Sequence, residues 1–67
     1  MAELITKPNL QDADAFYARL IDTHAGLSDA ESEALNARLI LILSNQIGDN
    51  EVLDAALDLA RRSGKSG

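Results

Sequence analysis

Residues 34–47, ALNARLILILSNQI, contain the longest apolar run of the chain, Leu39 to Leu43. Every other segment is too weakly apolar to form a core without this run. Because an α-helix turns by about 100° per residue, five consecutive apolar residues spread around its whole circumference. A helix with this pattern needs neighbours on most of its sides. The stretch therefore predicts the central helix of an all-helical fold.

The length and composition limit the chain to one small domain. It has 67 residues, one histidine and no cysteine, so neither a disulfide nor an ordinary zinc site can stabilise its fold. Phe16 and Tyr17 are the only aromatic residues, which suits helix packing better than a sheet. A domain of this size needs either unusually good helix packing or a partner.

The charge and hydropathy of the sequence argue against several functions. A net charge of −5 disfavours nucleic acid and anionic membrane surfaces, which both attract clustered Lys and Arg. The apolar run is far shorter than the roughly 20 residues of a membrane helix. Because the N-terminal residues do not resemble a signal peptide, we expect a cytoplasmic protein.

Capping signals place three helices at residues 12–25, 29–47 and 50–62. Asp12, Ser28 and Asp49 are good N-caps, and Gly26 and Gly48 supply left-handed stops. We predict an all-α, small three-helix domain over residues 12–62, namely a helical hairpin plus a shorter third helix. An extended N-terminal arm, residues 1–11, precedes it, and a flexible tail, residues 63–67, follows. The arm is expected to lay Leu4, Ile5 and Leu10 on the helices; a frayed terminus is the alternative.

The predicted central helix has two different apolar faces. The broad face is expected to be ordinary core, covered by the first and third helices, and consists of Leu35, Leu39, Ile40, Ile42, Leu43 and Ile47. A second stripe has heptad spacing and mostly small residues, which lets another helix approach closely. We predict that this stripe is a partner interface, and its members are Ala30, Ala34, Ala37, Leu41 and Ser44. The alternative is a closed monomer in which the first or third helix covers the stripe.

No residue pattern predicts catalysis, cofactor binding or metal binding. His24 lacks a second histidine or cysteine, and its place near a helix C-terminus is explained by the helix dipole. Four further side chains are candidates for polar contacts, within the domain or with a partner: Tyr17, Asn36, Arg38 and Asn45. Arg38 is expected to pair with a nearby acid.

Several segments together resemble a family of short bacterial proteins, the domain of unknown function 2783. The resemblance covers about residues 4–60 and is most specific from Leu35 to Asp49. The segments that carry it are Pro8-Asn9-Leu10, Asp14-Ala15-Phe16-Tyr17, His24-Ala25-Gly26-Leu27-Ser28, residues 35–41 and Asn45-Gln46-Ile47-Gly48-Asp49. The family has no established activity, so the resemblance implies no catalytic residue. It implies an accessory subunit of a flavin-dependent aromatic hydroxylase as one alternative function.

The sequence favours a non-catalytic protein–protein interaction module that self-associates. We expect a homo-oligomer, with a dimer favoured, or a complex with a larger protein. The alternatives are the accessory subunit, an antitoxin-like or regulatory binder, and a small-ligand carrier or enzyme with a pocket near Tyr17, His24 and Asn36. The prediction that separates self-association from these is that Leu41→Glu dissociates an oligomer.

Overall fold

The computed structural model describes residues 3–64, which form three helices and no strand. Helix α1 spans Ala13–His24, α2 spans Asp29–Ile47 and α3 spans Asn50–Gly64. The all-α, three-helix prediction is confirmed. Helix α3 is shorter than α2 but longer than α1. None of these helices, within the described residues, is long and apolar enough to cross a membrane.

The helices begin at the N-caps that the sequence predicts. Asp12 accepts a hydrogen bond from the Ala15 amide at 2.9 Å. Ser28 and Glu31 form a complete capping box, with reciprocal backbone-to-side-chain distances of 2.9 and 3.1 Å. The Ser28 amide and, to a lesser degree, its hydroxyl hold the pKa of Glu31 below its ordinary value. Asp49 caps α3 by accepting from the amides of Glu51 and Val52.

Glycines in the left-handed region follow α1 and α2. Gly26 has a φ of +81° and Gly48 a φ of +68°, a conformation that strains any residue with a Cβ atom. The third helix continues through Ser63 and Gly64, so the prediction that a tail begins at residue 63 is wrong for these two. After Arg62, Gly64 is the first residue that favours a helix end. Residues 65–67 of the predicted tail lie outside the described residues.

Residues 3–12, which precede α1, contain no helix, in agreement with an extended arm. Leu4 is half-buried, but Ile5 and Leu10 are exposed, so the prediction that all three lie against the helices is wrong for these two. The arm instead curves around a cavity of about 470 Å³, whose lining runs from Ile5 to Leu10 and includes only Ala13 from a helix. Residues 1 and 2 of the predicted arm lie outside the described part.

The three helices enclose very little core. Val52 is the only buried hydrophobic residue of the described chain, at 8% exposure. The accessible surface is 6085 Å², whereas a globular monomer of 7.2 kDa exposes about 4,100 Å². The radius of gyration is 13.7 Å, compared with about 11 Å for a compact domain of this length. The helices are therefore held in an open arrangement.

Candidate functional site

The central helix α2 presents most of its large side chains to solvent. Leu35 and Leu39 are half-buried, but the other four residues of the predicted core face are between 48% and 64% exposed: Ile40, Ile42, Leu43 and Ile47. The prediction that α1 and α3 cover this face is wrong for these four. The hydrogen bonds between α1 and α2 lie in the first half of α2.

The predicted interface stripe is also open to solvent. Ala30, Ala34 and Ala37 are exposed, Leu41 is 70% exposed, and Ser44 is half-buried. We call these five residues the Leu41 stripe. No described part of the chain covers its centre, so a second molecule can reach it. The role of the stripe as an interface stays a prediction.

A groove of about 550 Å³ separates the C-terminal half of α2 from α3. Its walls are predominantly apolar, and we call it the α2–α3 groove; it is lined by Ile40, Leu43, Ser44, Ile47, Asn50, Leu53, Asp54, Ala56, Leu57 and Ala60. Leu57, on the α3 wall, is 66% exposed. Ser44 belongs to both the groove and the Leu41 stripe. The two sets therefore form one continuous surface on α2.

From Ala34 onward, this surface is poor in charge although the chain is acidic. From Ala34 to Ile47 there is no carboxylate, and Arg38 is the only charged side chain. The acidic residues of α2 cluster in its first turns, at Asp29, Glu31 and Glu33. Within the groove, Asp54 is the only charged lining residue. Like charges therefore do not prevent another acidic chain from approaching here.

The imidazole of His24 joins the end of α1 to the first half of α2. Its Nδ1 lies 3.0 Å from the Ser32 hydroxyl, and its Nε2 lies 3.0 Å from the side-chain oxygen of Asn36. With the proton on Nε2, the ring donates to Asn36 and accepts from Ser32. Ser32 was not predicted from the sequence. The available signal was its spacing of four residues from Asn36, which puts both on one helix face.

The remaining polar candidates do not gather at His24. Tyr17, Arg38 and Asn45 are exposed, and their side chains form no hydrogen bond or ion pair within residues 3–64. The expectation that Arg38 pairs with a nearby acid is therefore wrong for the described chain. Residues 3–64 also contain no group of three or more His, Asp or Glu side chains placed to hold a metal ion. Of the proposed Tyr17–His24–Asn36 pocket, hydrogen bonding joins only His24 and Asn36.

Comparison with known proteins identifies one family. The model of a family described as "Protein of unknown function (DUF2783)" matches residues 4–62, which confirms the resemblance that the sequence motifs indicate. No curated protein and no solved structure matches the chain. The match covers all three helices up to Arg62 and most of the N-terminal arm.

Proposed function

Because the chain belongs to this family of proteins of unknown function, we propose its function from its surface: it is a non-catalytic protein-interaction module that associates with itself. The observation that carries the proposal is the scarcity of core. In the described part of the chain one hydrophobic residue is buried, while large aliphatic side chains on α2 and α3 remain at least half exposed, including Leu41 and Leu57. Such a chain gains its missing core by association.

Burial of the exposed apolar surface provides the free energy for association. Moving one Leu or Ile side chain from water to a packed interior stabilises a protein by about 1.5–3 kcal/mol. A small domain is stable by only about 5 kcal/mol in total. Covering a few of the exposed side chains of α2 therefore contributes as much as the fold of a typical domain of this size. Association is the available source of this stability, because the described chain leaves these side chains uncovered.

The arrangement around His24 supports a structural role for this residue. Both ring nitrogens are engaged, one with Ser32 and one with Asn36. A general base needs a ring nitrogen that can reach the substrate's proton, and a metal ligand needs a nitrogen directed at the ion. The same hydrogen bonds tie two helices together. We therefore assign His24 to the fold and place the function on the apolar surface of α2.

The substitution Leu41→Glu tests the contribution of the Leu41 stripe. A carboxylate at the centre of an apolar contact must lose its hydration without a partner, so the oligomer dissociates. We expect light scattering to give the mass of one chain, 7.2 kDa, for the variant and a multiple of it for the unmutated protein. Circular dichroism is expected to show largely retained helicity, because the caps of all three helices lie away from residue 41.

The matched control is Ile42→Glu. Ile42 is 64% exposed, similar to Leu41, and it receives the same charge on the same helix. It lies about 200° around the helix axis from Ser44, and therefore on the opposite side from the proposed contact. We expect this variant to keep the oligomer. A monomeric mass for the unmutated protein would overturn self-association, and equal effects of the two variants would remove the Leu41 stripe from the contact.

A further inference from the structure

We propose that the α2–α3 groove receives the α2–α3 hairpin of a second copy, so that two hairpins form one four-helix core. This inference rests on the proposed self-association and specifies the surface that carries it. The two-fold arrangement makes the contact isologous, with the same residues contributed by both chains. In a four-helix core the apolar stripes of all four helices point inward. Here these stripes hold Ile40, Leu43 and Ile47 of α2 and Leu53 and Leu57 of α3.

A single chain leaves a large area of its surface accessible to solvent. Its accessible surface of 6085 Å² exceeds that of a globular monomer of its mass by about 2,000 Å². A standard stable interface buries only about 800 Å² per partner. This excess includes the exposed N-terminal arm, and exposed groove residues such as Ile40 and Leu57 contribute to it as well.

The shape of the groove suits a helical hairpin. Its α2 wall follows residues 40–47, about 12 Å of helix, and its α3 wall follows residues 50–60, about 16 Å of helix. Leu57 on one wall and Ile40 on the other are 66% and 60% exposed, which leaves the opening between them unfilled. Because both walls carry large aliphatic side chains, the hairpin of one copy can pack into the opening of the other.

The distribution of charge favours a second copy as the occupant of the groove. Each chain carries a net charge of −5, so two copies repel each other unless they meet where the carboxylates are absent. The α2 wall has no carboxylate, and Asp54 is the only charged residue in the lining. A basic partner would instead be drawn to the acidic helix starts, away from the groove. The groove therefore fits a second copy of this chain, whose contact surface is apolar and whose carboxylates lie outside the contact.

The groove and the Leu41 stripe can be covered in one contact. Ser44 lies in both, and Ile40, Ser44 and Ala37 follow one another around α2 at intervals of about 20–40°. A helix of the second copy placed over Ser44 therefore touches the groove on one side and Leu41 on the other. Ile42 lies on the opposite side of α2 and stays outside the contact.

The first test is Leu57→Glu, with Ala55→Glu as the matched control. Both residues are exposed and lie on the same helix, but they are about 200° apart around its axis, and Leu57 alone lines the groove. We expect Leu57→Glu to raise the dimer dissociation constant, measured by sedimentation, by about 100-fold or more, because a carboxylate is buried without a partner. Ala55→Glu is expected to leave the constant unchanged within about threefold, since it adds only a surface charge.

A second test uses thiol protection and does not depend on breaking the dimer. The chain has no cysteine, so Leu57→Cys and Ile42→Cys each introduce a single thiol. The two positions are matched in the single chain, at 66% and 64% exposure. At concentrations where the unmutated protein is dimeric, we expect maleimide to label position 57 at least about tenfold more slowly than position 42, through sequestration of the groove. Dilution below the dissociation constant is expected to make the two rates equal.

The outcomes separate this inference from the proposed function. A protein that stays at 7.2 kDa at every concentration overturns both. The groove contact alone is overturned by three results together. The dimer survives Leu57→Glu, maleimide labels positions 57 and 42 at equal rates, and Leu41→Glu still dissociates the dimer. Equal loss of the dimer with Leu57→Glu and Ala55→Glu also overturns it, because the effect then follows charge and not the groove. Selective loss with Leu57→Glu together with protection of position 57 supports it.

Discussion

At the scale of single residues, Ser28 and Glu31 hold the start of the central helix. The hydroxyl of Ser28 accepts from the Glu31 amide, and the Glu31 carboxylate accepts from the Ser28 amide. Two backbone donors that lack a partner within the helix are satisfied in this way. The hydrogen bonds from Ser28 favour the charged form of Glu31 and so lower its pKa.

The lowered pKa predicts how this cap responds to acid. A carboxyl group whose pKa is lower in the folded than in the unfolded chain stabilises the fold above the unfolded value. This stabilisation is lost as the pH falls through the folded value. We therefore expect the contribution of Glu31 to decline below about pH 4.5. The measurement is the thermal melting temperature across this range, compared with that of Glu31→Gln.

Glu31→Gln is the matched variant because glutamine also completes a capping box but does not titrate. It is expected to melt close to the unmutated protein under strongly acidic conditions and below it at neutral pH. A constant difference between the two proteins at all pH values would contradict the role of the Glu31 charge.

Residues at helix ends were also the most predictable from sequence, for a physical reason. A cap needs only its own side chain and the next few amides, so Asp12, Ser28 and Asp49 could be recognised without knowing the fold. The left-handed glycines Gly26 and Gly48 are equally local. By contrast, the contact of His24 with Ser32 depends on how two helices meet. The sequence therefore did not predict it.

At the scale of elements, the hydrogen bonds of His24 are the specific link between α1 and α2. They join residues 8 and 12 positions apart in the chain, across the turn between the helices. Among the large side chains of α1, Leu20 is half-buried, whereas Phe16 and Ile21 remain about half exposed. The orientation of α1 therefore depends on this polar contact more than on packing.

A double-mutant cycle tests the link. We expect His24→Ala and Asn36→Ala to destabilise the protein with a coupling energy of about 0.5–1.5 kcal/mol in chemical denaturation, the net value of a protein hydrogen bond. The control cycle pairs His24→Ala with Asn45→Ala, because Asn45 is an exposed amide on the same helix without this contact. Additive effects are expected for the control. Additivity for His24 and Asn36 as well would mean that the contact contributes nothing to stability.

The long apolar run in α2 predicted its helix bounds but not its neighbours. A run that spreads around a helix says that several sides need cover, and it does not say which element provides it. The predicted core face and the predicted interface stripe were separated by side-chain size. In the folded chain both remain open, as the exposures of Ile40 and Leu41 show. Which surface is core and which is interface is decided by the relative placement of the helices.

At the scale of the whole molecule, the central quantity is the surface that one chain cannot bury. The radius of gyration is 13.7 Å, and one hydrophobic residue is buried within residues 3–64. If association supplies the rest of the core, the dimer is more stable than the separate helical chains, and the apparent stability depends on the protein concentration. This dependence is absent from a protein that folds as a monomer.

Sedimentation equilibrium of the unmutated protein over a wide concentration range tests the self-association most directly. We expect a mass of twice 7.2 kDa at high protein concentration. On dilution we expect the dimer to dissociate and its melting temperature to fall. A mass of 7.2 kDa at every concentration, with a melting temperature that does not change on dilution, would contradict it.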